Sequence, residues 1–368
     1  ITIMPKKNIF FFLPNFSEGG AGKSILRICK NLNKSKFNIY IISLKKNFYK
    51  NELNKYCKKI FEINETKASR SFKFIKNNIL CNFDKEKNIF ISNINYLNVL
   101  SLIFLKLQKF PCKLVLTERT PYQELNYYYG FKDYIKKSII KILIYFLYKY
   151  SDLIIANSKK TAVDFTRVTG KKAEFIYPLT INNIKKLKKF KKNKKVFRIL
   201  TIGRLSREKK IQNIIGAVNL INKKEIELIV VGNGAELSHL KKIPLNNNTK
   251  VLFKKYNIKN EKKYFKCSDL YISSSDFEGF PNTVVEAINN DLPVISSKSH
   301  GGIYEILLDG KGGVLLNQNN IVELSEQIIN IKNNYSKYLN KKNVAKKSLI
   351  RFSEKVNIIK FEKLMSTI

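Results

Sequence analysis

The order of apolar runs, loops and amphipathic segments constrains the fold of this chain more than any other feature. Residues 8–13 form an apolar run, a loop with three glycines follows, and 25–32 have helical periodicity before a second apolar run at 38–44. Continuous apolar runs are typical of parallel strands buried on both faces, so this order predicts a βαβ unit. The order returns from residue 197 onward. The sequence therefore predicts an α/β fold with two doubly wound domains.

Length and local composition suggest where these domains meet. The chain has 368 residues, more than one domain of about 100–200 residues accounts for. A lysine-rich stretch at 181–196 is predicted to be a linker. We therefore assign residues 1–180 to an N-terminal domain, 197–345 to a C-terminal domain, and 346–368 to a final helical segment.

The loop at 14–24 imitates a P-loop. A Walker A motif has a glycine, four further residues and then Gly-Lys-Ser/Thr, and here Ser17 stands at the first position. Glu18 stands where partitioning-type ATPases carry a lysine, and its charge would repel a γ-phosphate. No apolar run ends in the aspartate of a Walker B motif. A P-loop ATPase remains an alternative function, although these three features count against it.

The charge balance favours anionic partners. The chain has 69 Lys and Arg against 28 Asp and Glu, a net charge of +41. Such a surplus attracts nucleic acid, acidic lipid or phosphorylated substrates. AT-rich coding is the other explanation, because Lys, Asn, Ile, Phe and Tyr are all frequent.

Cysteine and histidine usage indicates no metal site and no disulfide framework. The five cysteines form no C-x-x-C pair, and the two histidines complete no zinc pattern. Dispersed cysteines are typical of a reduced, cytosolic protein. Residues 1–12 are too short for a membrane span and lack a cleavage site, so we predict that they contain the first strand.

The segment 131–150 is aromatic, aliphatic and basic. Its apolar residues at 135, 139, 142, 143, 146 and 147 follow a helical period. The simpler interpretation is a helix that packs this stripe against the sheet. The alternative is a basic amphipathic helix on an anionic membrane surface.

The stretch 271–287 combines an anion site with a hydroxyl site. An apolar strand enters a loop with small and polar residues at 279–283, and a helix follows. The free N–H groups of a helix start bind anions. Glu278 and Glu286 flank that start, and ionised carboxylates accept hydrogen bonds from hydroxyl groups. Phosphate plus polyol indicates a nucleotide or nucleotide sugar; the other interpretation is a capped helix with two solvated glutamates.

A second set of phosphate-type residues follows the apolar run at 197–202. Arg204 directly follows Gly203, and Lys209 comes five residues after Arg204. An arginine and a lysine at such a turn can reach one diphosphate, the first as a fork and the second as a point charge. The alternative is an exposed helix start in a lysine-rich protein.

These motifs resemble those of the retaining GT-B glycosyltransferases called glycosyl transferases group 1. The resemblance rests on Glu-Gly-Phe-Pro-Asn at 278–282 with Glu286 completing E-x7-E, on 292–296, on Gly301-Gly302 with Glu305, and on Gly203-Arg204-Leu205 with Lys209. It covers essentially the whole chain and is strongest at 198–308. It implies two Rossmann-like domains facing across a cleft, with 346–368 crossing back to the first domain.

The resemblance also implies roles. Arg204 and Lys209 would neutralise the diphosphate, Glu286 would bind the ribose, and Glu278 would lie beside the transferred sugar, so Glu278, Arg204 and Lys209 form the expected catalytic set. Glu118 and Arg119 are candidate acceptor-side groups, with a surface ion pair as the alternative. The implied donor-binding positions are Gly20, Gly203, Gly232, Gly234, Asn257, Gly279, Phe280, Pro281, Asn282, Thr283 and Glu286.

The function that the resemblance implies is transfer of a sugar with retention of configuration. The donor would be a UDP- or GDP-linked hexose or N-acetylhexosamine. The acceptor would be a glycan or lipid-linked molecule in surface polysaccharide, lipopolysaccharide or lipid-linked oligosaccharide synthesis. We expect no metal, no other cofactor and no nucleic-acid partner, and a cytoplasmic location with peripheral attachment to the inner membrane face as an option. A nucleotide-sugar epimerase, a P-loop ATPase and a nucleic-acid binder are the alternatives.

Overall fold

The chain forms two compact units. The computed structural model describes residues 5–15, 20–84, 87–185, 196–257 and 260–368. The first unit comprises Ile1–Asn182 with Phe352–Ile368, and the second comprises Asn183–Arg351. Most of the predicted linker, at 186–195, lies outside the described residues.

Parallel strands form the centre of the first unit. Among the described residues its sheet has seven strands in the order β3-β2-β1-β4-β5-β6-β7. They are β1 Lys7–Leu13, β2 Phe37–Ser43, β3 Lys59–Glu62, β4 Asn88–Asn93, β5 Lys113–Glu118, β6 Leu153–Ala156 and β7 Ala173–Phe175. The order reverses direction between β1 and β4, which makes their carboxyl ends a topological switch point.

The second unit repeats this design. The described residues form a six-stranded parallel sheet in the order β10-β9-β8-β11-β13-β15, with a separate short pair of β12 and β14. The strands are β8 Phe197–Ile202, β9 Ile226–Val231, β10 Lys250–Lys254, β11 Leu270–Ser273, β12 Phe277–Glu278, β13 Val294–Ser297, β14 His300–Gly301 and β15 Val314–Leu316. The switch point lies between β8 and β11, so the loops after these two strands leave the sheet side by side.

Helices connect the strands in both units. They are α1 Gly20–Asn31, α2 Lys50–Leu53, α3 Ala68–Phe74, α4 Asn95–Ser101, α5 Phe131–Leu147, α6 Lys159–Thr169, α7 Ile211–Ile221, α8 Leu237–Lys241, α9 Glu261–Cys267, α10 Asn282–Asn289, α11 Ile303–Leu307, α12 Ile321–Asn333, α13 Tyr335–Lys347 and α14 Glu354–Thr367. No helix within the described residues combines the length and hydropathy needed to cross a bilayer.

The apolar run at 8–13 explains the two cores of the first unit. Successive residues of a strand point to opposite faces of a sheet. Phe10 and Phe12 accordingly join a core with Phe72 on one face, and Phe11 joins a core with Phe361 on the other. The rings of Phe11 and Phe361 stack at 6.2 Å between centroids. Both faces of this strand are therefore buried, as the sequence predicted.

The last helix belongs to the first unit. Ser353 caps α14, because its hydroxyl oxygen accepts from Val356 N–H at 3.3 Å. Ile358 and Met365 are buried in the core that also holds Phe361. Residues 346–351 stay with the second unit, where the buried Lys346 pairs with Asp291 at 2.7 Å.

Helix α5 buries only part of the stripe that the sequence suggested. Within the helix, Ile140 and Ile144 are buried against the core of the first unit. The residues at 135, 139, 142 and 146 are exposed. The interpretation as core is wrong for these four residues, whereas Leu143 and Leu147 of the same predicted stripe do pack against the core.

Candidate active site

The loop after β8 is held by close backbone packing. Leu205 N–H donates to Asn233 O at 2.9 Å. A Cβ atom on Gly234 would lie 2.1 Å from Leu205 O, and one on Gly232 would lie 1.9 Å from Gly203 O. Real Cβ atoms do not approach backbone oxygens so closely, so both positions require glycine. These glycines seat the loop that carries Arg204 and Lys209.

Arg204 extends into solvent beside a carboxylate that the sequence analysis had not singled out. Its side chain is 73% exposed, and its Nη2 lies 2.9 Å from Glu208 Oε1. Ser206 Oγ donates to the same oxygen at 2.5 Å. Burial alone would raise the pKa of Glu208, but these hydrogen bonds and the Arg204 charge hold that pKa below its usual value. The i, i+4 spacing of Arg204 and Glu208 was the signal for this pair.

Lys209 and Glu278 are in direct contact. Lys209 Nζ donates to Glu278 Oε1, and Ser275 Oγ donates to the same oxygen at 3.2 Å. Ser274 Oγ donates to the Lys209 and Lys210 carbonyl oxygens at 2.7 and 2.9 Å. Two predicted catalytic residues thus meet at the ends of adjacent strands. The two serines that support them were not predicted, and their position in a serine-rich run directly after β11 was the only signal.

Glu278 is positioned by the short strand pair. Phe277 and Glu278 pair with His300 and Gly301. Gly301 has φ +110°, and a Cβ atom there would lie 1.8 Å from Glu278 O. Only glycine fits such a conformation and approach. Gly301 therefore fixes the Glu278 backbone, whereas His300 is exposed.

Helix α10 presents a polar edge beside this loop. Asn282, Thr283 and Glu286 are half-buried, while Val284 and Val285 are buried in the core. Residues at i and i+4 share one helix face. The predicted phosphate-binding and ribose-binding residues therefore lie together. The preceding residues 279–281 are buried and shape the loop.

A buried tyrosine links this helix to the loop after β8. The Tyr271 hydroxyl lies 2.7 Å from Thr283 Oγ1 and donates to Ile202 O at 3.2 Å. Burial raises the pKa of Tyr271 well above its usual value, so the hydroxyl stays protonated. Sequence reasoning missed this residue because an aromatic side chain in a strand is ordinarily core.

Two predicted donor residues belong to other elements of the structure. Gly20 opens α1 in the first unit, and the adjoining residues 16–19, including Ser17 and Glu18, are outside the described part of the chain. Asn257 follows β10 and is exposed. Its carbonyl accepts from Asn260 N–H at 3.0 Å, which forms a turn.

Glu118 is buried in the first unit. Its side chain is 1% exposed. Its Oε1 accepts from Tyr148 Oη at 2.6 Å and from Asn98 Nδ2 at 2.7 Å. Burial raises the pKa of Glu118 to about 8, so this carboxyl is mostly protonated at neutral pH. It does not form the surface ion pair that the sequence left open.

Arg119, the next residue, has amide partners. Its Nε and Nη2 donate to Asn93 Oδ1 at 3.1 and 2.8 Å, and Asn157 Nδ2 donates to the Arg119 carbonyl at 2.8 Å. Burial lowers the pKa of Arg119 to about 10, which leaves it cationic at neutral pH. No salt bridge to Arg119 occurs among the described residues. Ile94, beside Asn93, has φ +81°, a strained conformation for a β-branched residue.

The described residues contain no group of three His, Cys, Asp or Glu side chains that could hold a metal ion. Cationic groups at the switch point of the second unit are Arg204 and Lys209. Such groups next to a helix start suit a phosphorylated ligand. This edge of the sheet therefore has groups that can bind phosphate and carboxylates that can accept from hydroxyl groups.

The fold is the two-unit α/β architecture called GT-B. The structure is similar to that of Anabaena HepE in complex with UDP-glucose, with a TM-score of 0.75 and 17% identity, over 98% of this chain and 100% of that chain. A likeness at this identity supports the fold alone.

A comparison of sequences matches part of the chain to a known family. Residues 182–348 match the family of glycosyl transferases group 1. The match lies almost entirely within the second unit.

Two characterised proteins are similar to part of the chain. The poly(glycerol-phosphate) alpha-glucosyltransferase of Bacillus subtilis is 27% identical over 213 residues, which are 56% of this chain and 31% of that protein. The N-acetylgalactosamine-N,N'-diacetylbacillosaminyl-diphospho-undecaprenol 4-alpha-N-acetylgalactosaminyltransferase of Campylobacter jejuni is 27% identical over 239 residues, which are 63% and 62% of the two chains. The chain thus spans less than two thirds of the length of either relative.

Proposed function

We propose that this protein is a retaining glycosyltransferase that uses a nucleotide-diphosphate sugar. The observation that carries the proposal is the contact of Lys209 with Glu278 beside Arg204, at the switch point of the second unit. These side chains supply cationic groups for a diphosphate and a carboxylate for sugar hydroxyls. The match of residues 182–348 to the family of glycosyl transferases group 1 supports the same conclusion.

Arg204 and Lys209 would bind the diphosphate. An ammonium group has three N–H donors and a guanidinium has five. Lys209 can therefore bind a phosphate oxygen while it keeps Glu278, and Arg204 can do so while it keeps Glu208. Each charge-assisted hydrogen bond contributes about 1.5–3 kcal/mol. The first N–H groups of α10 add partial positive charge at the same place.

The two glutamates of E-x7-E would bind hydroxyl groups. Glu286 lies on the half-buried edge of α10 and would accept from the ribose. Glu278 would accept from the transferred sugar, with Lys209 and Ser275 fixing its orientation. Such positioning lowers the barrier of the reaction because the reacting atoms are held in order before the reaction.

The reaction would be a displacement at the anomeric carbon. The bond from that carbon to the diphosphate oxygen breaks, a bond to the acceptor oxygen forms on the same face, and the acceptor proton passes to the departing diphosphate. Arg204 and Lys209 would stabilise the charge that develops on this leaving group. We propose that they do so without a divalent cation, so a chelator should leave turnover unchanged.

The first unit would supply the acceptor contacts. Arg119 is cationic and has no salt bridge among the described residues, which suits an acceptor that carries phosphate, either a glycan or a lipid-linked molecule. Glu118 is buried, so we propose that it is a positioning residue that orders the end of β5. A cytoplasmic protein that builds surface polysaccharide, lipopolysaccharide or lipid-linked oligosaccharide, peripheral on the inner membrane face, fits this scheme.

The experiment begins with a thermal-shift screen of UDP- and GDP-sugars and continues with turnover of the best donor. Arg204→Ala should lower turnover by about 100- to 1000-fold. The matched control is Arg207→Ala, because Arg207 lies on the same loop, is exposed and pairs with Glu236. The control should keep the parent turnover. If Arg204→Ala also keeps it, the role assigned to this residue is wrong.

A second measurement addresses stereochemistry. The anomeric configuration of the product, read by NMR coupling constants, should equal that of the donor sugar. An inverted product would exclude the same-face displacement while leaving the donor class intact.

A further inference from the structure

Two cysteine thiols lie next to each other in the first unit. Cys29 is on α1 and is fully buried, whereas Cys57 follows α2 and is half-buried. Both side chains pack in one hydrophobic core, and the two thiols share a hydrogen bond. Both are free cysteines. The fold therefore brings together two reduced thiols that are far apart in the sequence.

The backbone around Cys57 fixes this position. Cys57 N–H donates to Leu53 O at 2.9 Å, which continues the last turn of α2, and Lys58 N–H donates to Ile39 O at 2.8 Å, which joins the next residue to β2. Leu53 is buried in the same core as Cys29. The contact of the two thiols thus depends on main-chain hydrogen bonds on both sides of Cys57, and not on the rotamer of one exposed side chain.

A lysine side chain lies beside the pair. Lys34 Nζ donates to the Cys29 carbonyl oxygen and lies 5.9 Å from the centroid of the Tyr56 ring, the residue before Cys57. Burial lowers the pKa of Lys34, whereas negative charge on Cys29 or Cys57 would raise it, so the ammonium is within electrostatic reach of both sulfurs. An ammonium next to a sulfur stabilises the thiolate, which is the form that attacks a disulfide.

The two thiols differ in their access to solvent. Burial raises the pKa of Cys29 well above its usual value, and the neighbouring Cys57 thiol raises it further, so Cys29 stays a thiol at neutral pH. Cys57 is half-buried and can be reached from solvent. Cys57 is therefore the thiol that meets an oxidant first, and Cys29 is placed to react with it afterwards.

We propose that Cys29 and Cys57 form a reversible disulfide when the protein meets a low-molecular-weight disulfide. The Cys57 thiol loses its proton and attacks one sulfur of the oxidant, whose other sulfur leaves as a thiolate and takes up that proton. The Cys29 thiol then loses its proton, attacks the Cys57 sulfur and displaces the second small thiolate, which is protonated in turn. Two protein thiols are thereby oxidised to one disulfide, and one small disulfide is reduced to two small thiols.

This inference goes beyond the proposed function and stands without it. The thiol pair belongs to the first unit, and no step requires Arg204 or Lys209. The oxidation state is measured without a sugar donor or an acceptor, so failure of sugar transfer and failure of disulfide formation are separate outcomes. The reduced state expected from the dispersed cysteines is compatible with such a bond, because exchange with small thiols reverses it.

Equilibration of the folded protein in mixtures of reduced and oxidised glutathione tests the proposal. After acid quenching and alkylation, peptide mapping should identify a disulfide between Cys29 and Cys57 in a protein that has lost two of its five thiols. Excess dithiothreitol should restore both thiols. Cys57→Ser and Cys29→Ala should form no intramolecular disulfide. The matched control Cys81→Ser should form it as the parent does, because Cys81 is exposed and its thiol donates to Asn77 O at 2.7 Å.

The rate of disulfide formation tests the role of the lysine. Lys34→Gln should slow the reaction several-fold at neutral pH, because the attacking thiolate loses its cationic neighbour. Lys30→Gln is the matched control, since Lys30 is exposed in the last turn of α1, and it should keep the parent rate. Equal rates in the two variants would overturn the role given to Lys34.

Thermal unfolding gives a second readout of the bond. The oxidised parent should unfold at a temperature about 5 °C above that of the reduced parent, because the bond restricts the unfolded chain. Oxidised and reduced Cys57→Ser should unfold at the same temperature. Circular dichroism verifies that each variant is folded before its thiols are counted.

Three results would overturn the proposal. A parent that keeps all five thiols in oxidising mixtures has thiols that cannot bond to each other. A parent that stops at a mixed disulfide of Cys57 with glutathione lacks the attack by Cys29. Loss of two thiols to an intramolecular disulfide in Cys57→Ser would assign the bond to another pair of cysteines.

Discussion

Each unit has a glutamate and a basic residue at the carboxyl edge of its sheet, but the two glutamates differ in burial and in bonding partners. In the second unit Glu278 bonds to Lys209, a cation, and both side chains keep contact with solvent. In the first unit Glu118 bonds to Tyr148 and Asn98, which are neutral, and its side chain is 1% exposed. Burial without a cationic partner favours the protonated acid. The ion pair of the second unit can exchange partners with a ligand, whereas the buried glutamate of the first unit supports the end of a strand.

The largest expected effect follows from removal of the cation in the second unit. Lys209→Ala would take away a phosphate donor and leave Glu278 without its cationic partner, so turnover should fall by about 1000-fold. Lys210→Gln is the control, because Lys210 is adjacent but pairs with Asp276 at 3.4 Å. Steady-state turnover at saturating donor measures both variants. Equal turnover of Lys209→Ala and Lys210→Gln would mean that the ion pair is structural.

The next effect concerns the loop that carries this cation. A Cβ atom on Gly234 would meet three backbone atoms of Leu205 within 2.7 Å, so Gly234→Ala should lower the free energy of unfolding by about 3 kcal/mol. Gly203→Ala is the matched control, since nothing lies within 4 Å of its Cβ position. Its stability should change by less than about 1 kcal/mol. Urea denaturation measures both, and an equal loss in the two variants would contradict the packing argument.

The buried glutamate of the first unit gives a pH-dependent effect. The pKa of Glu118 is about 8 in the folded protein against 4.5 in the unfolded chain. Between these values the folded protein binds one more proton, so its stability should fall as pH rises from 4.5 to 8. Glu118→Gln has no such proton, so its stability should depend much less on pH between 4.5 and 8. Unfolding midpoints across the pH range measure the slope.

The control for this prediction is Glu326→Gln, because Glu326 is exposed. That variant should keep the slope of the parent. If Glu118→Gln keeps it too, Glu118 is ionised in the folded protein and the contrast between the two units disappears.

The sequence predicted some strands and candidate site residues and missed others, for physical reasons. Apolar runs predicted β1 and β8, because a strand buried on both faces needs continuous apolar residues. Local motifs predicted Arg204, Lys209 and Glu278. Strand β3 was not predicted, since it lies in a lysine-rich, weakly patterned region.

Other features depend on contacts between distant residues. The partners of Glu118 lie 20 and 30 residues away, so nothing near it in the sequence indicates burial. Periodicity detected the stripe on α5, but a helix with two apolar sides gives no sign of which side packs. The left-handed conformation of Lys210 was likewise hidden, because a lysine within a lysine-rich stretch gives no sign of a positive φ.

The smallest expected effect concerns Lys210, where the contribution of the ion pair to stability can be separated from that of the backbone conformation. It has φ +48°, a conformation that costs a residue with a Cβ atom about 1 kcal/mol. Lys210→Gly removes this strain but also removes the ion pair with Asp276, whose pKa burial already raises. The two changes oppose each other, so the free energy of unfolding should change by less than about 1 kcal/mol.

A double-mutant cycle with Asp276→Asn resolves the two contributions. Without the carboxylate only the backbone effect remains, so Lys210→Gly should then stabilise the protein. A destabilising effect of Lys210→Gly in the Asp276→Asn background would show that the left-handed residue carries no strain. In that case the cationic residues of the second unit would be held by ion pairs alone, and the two units would differ only in the partners of their glutamates.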